Sequence, residues 1–452
     1  MYANGRAIRQ GFHKLDDSCV YYSPEVNTTA ISFTLRALRH RNYRLFFGGQ
    51  GISLVGTWMQ QVALGWLVYR LTNSAFLLGF VGFAGQLPTF ILASFAGVLA
   101  DRWNRLRLLI VIQTLSAIQA SVLALLTLTG HIAVWHIIVL SACMGVITAF
   151  DVPTRQSLIS EMLDTKEDLG NAIALNSFMF NGARLIGPAV AGMLLTVVSE
   201  GVCFLLNALS FAAVIGALAA MRIPLLSRKA SPQNMLHGLK EGYRYVFGFA
   251  PIRYIIVNLA LLSLTGISYP VLMPIFARDI LQGGPHTLGF LVSSAGIGAL
   301  ISALYLASRG SVIGLGRIIV ATMGICGLSL IFFSFSRHVA FSLLMMLCAG
   351  FGVMSVITSS NTILQTITDE DKRGRVMSLY TMAFIGMTPF GSLLMGALAS
   401  KIGAPHAVTV AGICCIISSY VFMSRLPIFR KTIRPVYLDK GIIREQPYHT
   451  DS

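Results

Sequence analysis

Between residues 101 and 107 the chain carries four charges, Asp101, Arg102, Arg105 and Arg107, with a long apolar run on either side, at about 75–100 and 106–129. A helix that crosses a bilayer needs roughly 20 predominantly apolar residues. Both runs satisfy that length, so charge of this density between them belongs at a membrane surface. Runs of the same kind recur along the chain, predicting twelve helices at about 45–69, 75–100, 106–129, 134–157, 172–198, 201–221, 252–277, 286–307, 315–335, 339–364, 375–399 and 405–424. The expected fold is an all-α integral membrane protein with twelve transmembrane helices.

Composition supports that class. Hydrophobic residues make up 55% of the sequence and charged residues 12%, against about 25% charged in soluble domains. Of the 18 acidic residues, all but Asp101, Asp151, Glu200 and Asp279 fall in expected tails and loops, and those four sit at or near span ends. A net charge of +16 would suit nucleic-acid binding, but the basic residues follow topology instead. Twenty-nine of the 34 Lys and Arg fall on one side of the expected helices, four (Arg70, Arg278, Arg337 and Lys401) on the other, and Arg184 alone lies within a span. The positive-inside rule then places both termini in the cytoplasm and the basic surface against an anionic lipid leaflet. No nucleic-acid partner is expected. The seven cysteines, six of them in apolar runs, show no metal-ligand or disulfide spacing and read as small hydrophobes.

The runs divide six and six around a polar, basic loop. The expected organisation is a cytoplasmic N-terminal tail at 1–34, a six-helix half at 35–221, a central cytoplasmic loop at 222–250, a second six-helix half at 251–425 and a cytoplasmic C-terminal tail at 426–452. Residues 35–44, with four arginines, read as an interfacial lead into the first helix. A shift of 204 residues lays Phe180 on Phe384, Gly187 on Gly391 and Gly192 on Gly396, which pairs the fifth helix with the eleventh. The second and eighth helices begin alike, with Gly79-Phe80 and Gly289-Phe290. The charged loop is not repeated.

Gly97, Asp101, Arg102 and Arg105 match the loop between helices two and three of major facilitator transporters, Gly-x-x-x-Asp-Arg-x-x-Arg/Lys-Arg/Lys. Leu106 stands where a second basic residue is usual. Gly187-Pro188-x-x-Ala191-Gly192 resembles the helix-five pattern of antiporters in that superfamily, with alanine in place of one glycine. Two six-helix halves with internal repeats are the architecture of that fold. Within it, the phrases starting at Arg41, Trp58, Asp151, Arg184 and Arg373 resemble bacterial enterobactin, siderophore and drug exporters. The resemblance covers about residues 35–425. It implies a secondary active transporter of the bacterial inner membrane that exports a small organic molecule by alternating access, with proton antiport, and works as a monomer. An importer or facilitator of the same fold, or a receptor or scaffold that moves nothing, are the alternatives.

The candidate residues follow. Gly97, Asp101, Arg102 and Arg105 form a cytoplasmic gate motif, read as a latch that must break for inward opening or as a topology anchor; the resemblance places Asp101 near the eleventh helix, at 374–377. Asp151 and Arg155 stand four apart on one helix face; with Asp101 and Arg184 they are the candidate proton-coupling charges, and Asp151 is open to Arg155, Arg105 or Arg184 as partner. Arg184 lies mid-span on a face with Asn176, Phe180 and Gly187. An arginine there costs about 2.5–3.5 kcal/mol on insertion scales, so it needs either an anionic or phenolic substrate or a permanent internal partner. Gly187, Pro188 and Gly192 make the antiporter-like motif, where Pro188 removes a backbone donor. Gln50, Thr57 and Gln61 on the first helix, Gln86 on the second, Asn176 and Arg184 on the fifth and Asn361 on the tenth are candidates for a polar substrate cavity. Tyr269, Pro270 and Pro274 mark a bend in the seventh helix and a candidate outer gate. The sequence holds no Gly-x-x-x-x-Gly-Lys-Ser/Thr phosphate loop, nucleophile triad or metal cluster, so no enzymatic activity, cofactor or metal is expected and the energy would come from an ion gradient.

Overall fold

The computed structural model describes residues 35–222 and 243–443; the side chains of residues 93–95, 97–102 and 166 lie outside that description. The described residues form helices and no strand. A short 3-10 turn, Arg36–Arg39, leads into α1 (Arg41–Thr72). There follow α2 (Ala75–Arg102), α3 (Arg105–Leu128), α4 (Val134–Ile159), α5 (Leu169–Leu194) and α6 (Glu200–Ala219). The second half holds α7 (Ala250–Leu264, continued by short helical turns to Ile280), α8 (Pro285–Ala307), α9 (Leu315–Phe335) and α10 (Val339–Ile367). It ends with α11 (Glu370–Thr381, a π turn at Met382–Gly386, then Thr388–Ile402) and α12 (Ala404–Asp439).

Ten of these helices are long and apolar enough to cross a membrane. The other two, α1 with 32 residues and α5 with 26, have the length but are diluted by polar side chains. These are Gln50, Ser53, Thr57, Gln60 and Gln61 on α1, and Asn171, Asn176, Ser177, Asn181 and Arg184 on α5. The surface is inverted relative to a soluble protein. Leu125, Phe178, Leu304 and Phe335 are each more than 60% exposed, which suits a lipid solvent and would not suit water. Multi-pass membrane insertion follows.

The packing repeats between halves. In the first half α1 packs on α5 and α6, α3 on α4 and α6, and α2 on α4; in the second α7 packs on α11 and α12, α9 on α10 and α12, and α8 on α10. The halves meet along α2 with α11 and α5 with α8. α5 and α11 are therefore counterparts, as the 204-residue shift requires.

Short local signals set the helix ends. Asn73 caps α1 in the left-handed region (φ 47°), and Ser74 accepts from Leu77 N–H to start α2, the capping chemistry expected of Asn and Ser. Trp103 and Asn104 alone turn the chain from α2 to α3, with Asn104 Oδ1 accepting from Arg107 N–H at 2.9 Å. Pro270 and Pro274 coincide with the break-up of α7 into short turns after Leu264, as two prolines four apart predict. α5, by contrast, stays helical through Pro188. The last helix outruns its expected span of 405–424. It continues to Asp439 through Pro427 and Pro435 because Phe422, Leu426, Phe429 and Ile433 keep one face buried. Helix therefore occupies the first 14 residues of the expected C-terminal tail.

Among the described residues, contacts join several of the segments expected on the basic side. Asn42 bonds the Arg222 backbone, Arg105 pairs with Glu161, and Lys440 donates to the Thr366 and Thr368 carbonyls. At the far end stand Tyr69, Asn73, Arg70, Glu200, Arg278 and Asp279.

Candidate functional site

Arg184 is the sixteenth of the 26 residues of α5, roughly 22 Å along the helix from its start at 1.5 Å per residue. It is therefore near mid-depth. Its guanidinium lies 5.8 Å from the centre of the Trp58 ring on α1, and the Phe180 ring, one turn before it, meets Trp58 edge-on at 6.0 Å. The buried Tyr269 of α7 stands close enough to interact with Arg184 electrostatically. Among the described residues no carboxylate pairs with Arg184. The described acids at the span ends, Asp151, Glu161, Glu200 and Asp279, have other partners. The side chain is half-buried, and Trp58 is likewise half-buried while Phe180 is 43% exposed.

Glycines bring the aromatic ring to the cation. A methyl group at Gly187 would stand 2.6 Å from Trp58 Cβ and 2.8 Å from the Val55 carbonyl, so only glycine lets α1 lie this close to α5. The repeat does the same work at Gly391, where a methyl group would stand 2.7 Å from the Leu264 carbonyl of α7. Below Arg184, Ser293 of α8 donates to the Leu185 carbonyl at 2.8 Å.

The junction between halves is made of paired glycines. A methyl group at Gly192 on α5 would stand 2.9 Å from Gly289 Cα on α8. One at Gly79 on α2 would stand 2.8 Å from Gly396 Cα on α11. Gly79 and Gly289 open the second and eighth helices, and Gly192 and Gly396 are related by the repeat. Small residues at such crossings let backbones touch, where dispersion replaces the hydrophobic effect as the attraction between helices. Pro188 belongs to this junction, its carbonyl lying against Gly289.

The far end carries contacts that the sequence reading did not pick out. Tyr69 at the end of α1 donates its phenol to the Asp279 carboxylate, and Arg278 donates to Asn73 Oδ1 at 2.8 Å while covering the Tyr69 ring at 5.6 Å. Both contacts cross between halves. Arg70 forms a two-pronged pair with the buried Glu200, at 2.7 and 3.1 Å, inside the first half. Arg70 and Arg278 are two of only four basic residues expected on that side, and this scarcity was the available signal.

The basic end carries Asp151 and Arg155, 3.0 Å apart, with Gln113 donating to the other Asp151 oxygen at 2.8 Å. Of the three partners open to Asp151, the structure brings up Arg155. Arg105 instead binds Glu161 at 2.5 Å. That pairing offsets the unfavourable placing of a cation at the first residue of α3, where the helix dipole is positive. Gly97, Asp101 and Arg102 sit in the last turns of α2, but their side chains lie outside the described residues. A further cluster ties the lead segment to the α4–α5 loop. His40 Nδ1 and Nε2 lie 2.8 and 2.9 Å from Asp164 and Asp168, and Arg36 lies 2.9 Å from Asp168. The Asp164 hydrogen bond raises the His40 pKa above its ordinary value, opposed by partial burial and aided by Asp168.

The expected polar stripe divides by environment. Gln50 is buried, Thr57 bonds its own helix at the Ser53 carbonyl, and Gln61 is exposed. Gln60, beside them, is a cross-link: it donates to Gln119 at 3.2 Å and accepts from Asn207 at 2.7 Å. Gln86 donates to Gly82 O and to Ser392 Oγ of α11 at 3.5 Å. Asn361 accepts from Gln365 of its own helix at 2.5 Å, and Asn176 is half-buried.

Comparison with known proteins fits this geometry. Solved structures share the fold: a bacterial homologue of the human lysosomal transporter Spinster (TM-score 0.65, 12% identity, covering 90% of this chain and 99% of that one) and the nucleoside transporter NupG (TM-score 0.66, 13% identity, 86% and 99%). In sequence the chain is similar to the staphyloferrin A transporter of Staphylococcus aureus, 28% identical over 388 residues covering 84% of this chain and 96% of the relative. It is also similar to macrolide efflux protein A of Streptococcus pyogenes (24%; 84% and 96%) and the multidrug efflux pump Tap of Mycobacterium tuberculosis (26%; 85% and 91%). The model of the transmembrane secretion effector family matches residues 32–435, and this chain belongs to that family, built on the major facilitator fold.

Proposed function

We propose that this chain is a secondary active exporter of the bacterial inner membrane, a monomer that carries a small organic molecule, a siderophore or drug, out of the cytoplasm by alternating access in exchange for protons. The observation that carries this reading is the closure of the two halves at the far end through the paired glycines and the Tyr69–Asp279 and Arg278–Asn73 contacts. With the basic end cytoplasmic by the positive-inside rule, this is a conformation shut towards the outside. Substrate then loads from the cytoplasm, reaches the Arg184–Trp58 level, and leaves when the far end parts. The relatives named as efflux proteins support the same direction, and the staphyloferrin A transporter supports a siderophore as cargo.

Proton exchange needs a carboxylate that changes partners. Asp151, held by Arg155 and Gln113, and Asp101 at the end of α2 are the acids assigned to it. Asp101 with Arg102 and Arg105 is assigned to the basic-end gate. The test compares small molecules in medium and cytoplasm of cells with and without the protein, under iron limitation and iron excess. A molecule retained inside only in the deleted strain supports export, and retention confined to iron limitation selects a siderophore. Retention of the molecule by the strain that has the protein, and not by the deleted one, would overturn the direction.

A further inference from the structure

Arg184 is a cation held at mid-depth, and among the described residues no carboxylate pairs with it. Asp151 is bound by Arg155, Glu161 by Arg105, Glu200 by Arg70 and Asp279 by Tyr69 and Arg278, all of them towards the ends of the bundle. What the protein does supply to Arg184 is aromatic: the face of Trp58 at 5.8 Å, with Phe180 edge-on to that ring. A cation over an aromatic face gains about 2 kcal/mol when desolvated, which is comparable with the insertion cost of the arginine but leaves the fork without a hydrogen bond among the described residues. The guanidinium presents donors in a planar array that matches a carboxylate two-for-two. Its position between α1, α5 and the α7 residue Tyr269 lies on the line where the halves meet.

From this we infer that Arg184, Trp58 and Phe180 form a binding site for an organic anion, a carboxylate attached to a flat apolar or aromatic body, and that such anions are the substrate class of the chain. The carboxylate takes the free edge of the Arg184 guanidinium, and the flat body lies against Phe180 and the Trp58 edge. The anion supplies the counter-charge that the described residues do not. Gly187 is part of the site because any larger residue would push Trp58 away. The inference rests on the export reading only in taking the space between the halves as the substrate path.

The test is equilibrium binding to the full chain in lipid nanodiscs, so that it stands apart from transport. The probe is radiolabelled salicylate, with unlabelled salicylamide and 2-hydroxybenzylamine, its neutral and cationic counterparts, as competitors. The structure predicts saturable salicylate binding, with both counterparts at least tenfold weaker as competitors than salicylate itself. Binding should fall about 10- to 100-fold in Arg184→Gln, and by a smaller factor in Arg184→Lys, which keeps the charge and loses the fork. Quenching of tryptophan fluorescence by salicylate should largely disappear in Trp58→Phe. No saturable salicylate binding up to millimolar concentration, equal competition by salicylamide, or unchanged affinity in Arg184→Gln would each overturn the assignment. Should Arg184→Gln fail to fold, the competitor series on the unaltered protein decides it. The two readings fail separately. Salicylate binding without outward flux would sink export and spare the anion site, whereas outward flux of a cation without salicylate binding would do the reverse.

Discussion

Tyr69, the fourth residue from the end of α1, hydrogen-bonds the Asp279 carboxylate at the end of α7 and so ties the two six-helix halves together at the far end of the bundle. The bond joins residues 210 positions apart and is made beside the Arg278–Asn73 contact. A hydrogen bond to a charged group contributes about 1.5–3 kcal/mol, which is a roughly 10- to 150-fold bias in a two-state equilibrium. Tyr69→Phe and Asp279→Asn should therefore each shift the chain towards the state open at that end. Spin labels placed at the far-end loops of the two halves, read by pulsed electron resonance, should show a longer distance population growing in both variants. An unchanged distribution in both would show that Tyr69 and Asp279 are no latch.

The paired glycines predict a steric effect at the same junction. With Gly289 Cα only 2.9 Å from a methyl group at Gly192, Gly192→Val has no room unless α5 and α8 separate. Overpacking of this sort costs about 1–3 kcal/mol. Flux should drop by tenfold or more, and disulfide cross-linking across the α5–α8 junction should be lost, while the protein remains in the membrane. Gly396→Val should copy the effect at α2 and α11, because the repeat gives both crossings the same geometry.

The His40 cluster predicts a pH dependence. Its pKa is raised in the folded chain, first by the Asp164 hydrogen bond. The protonated form is therefore the one the fold favours. The stabilisation is complete below the unfolded value of about 6.5 and is lost as pH rises through the raised folded value. The thermal midpoint of the unaltered chain should exceed that of His40→Gln most at pH 6, and the gap should narrow towards alkaline pH. A gap that widens with pH would reverse the assignment.

Asp151 and Arg155 are 16% and 14% exposed and 3.0 Å apart. Removing one partner of a buried pair costs up to about 3–5 kcal/mol. Asp151→Asn and Arg155→Gln should each lower the melting temperature, and the double variant should lose less than their sum. If Asp151 also carries the proton, both Asp151 variants should flatten the pH profile of transport. A flattened profile in Arg155→Gln alone would assign the carrier elsewhere.

Sequence reading reached the order of the helices because apolar length is a strong signal, met by ten of them, and it reached the α5–α11 correspondence because glycine spacing survives repetition. It singled out Arg184 because a charge within a span is rare. It missed Trp58 as the partner of that charge, because the two lie on different helices and an aromatic residue in a membrane helix is unremarkable by itself. It left Asp151 open among three cations, and only the packing of α3 against α4 commits Arg105 to Glu161. The cavity stripe on α1 divided for a related reason. Lipid and protein interior are equally apolar, so periodicity does not say which face of α1 turns inward, and Gln60, not Gln50 or Gln61, proved to be the residue bonded across helices.

Proton-driven export is tested in inverted membrane vesicles, in which the cytoplasmic face looks outward. An imposed inward-acid pH gradient should drive the molecule found by the cell comparison into the vesicle lumen, only when the protein is present, and a protonophore that collapses the gradient should stop it. Uptake into right-side-out vesicles instead, with none into inverted ones, would contradict export.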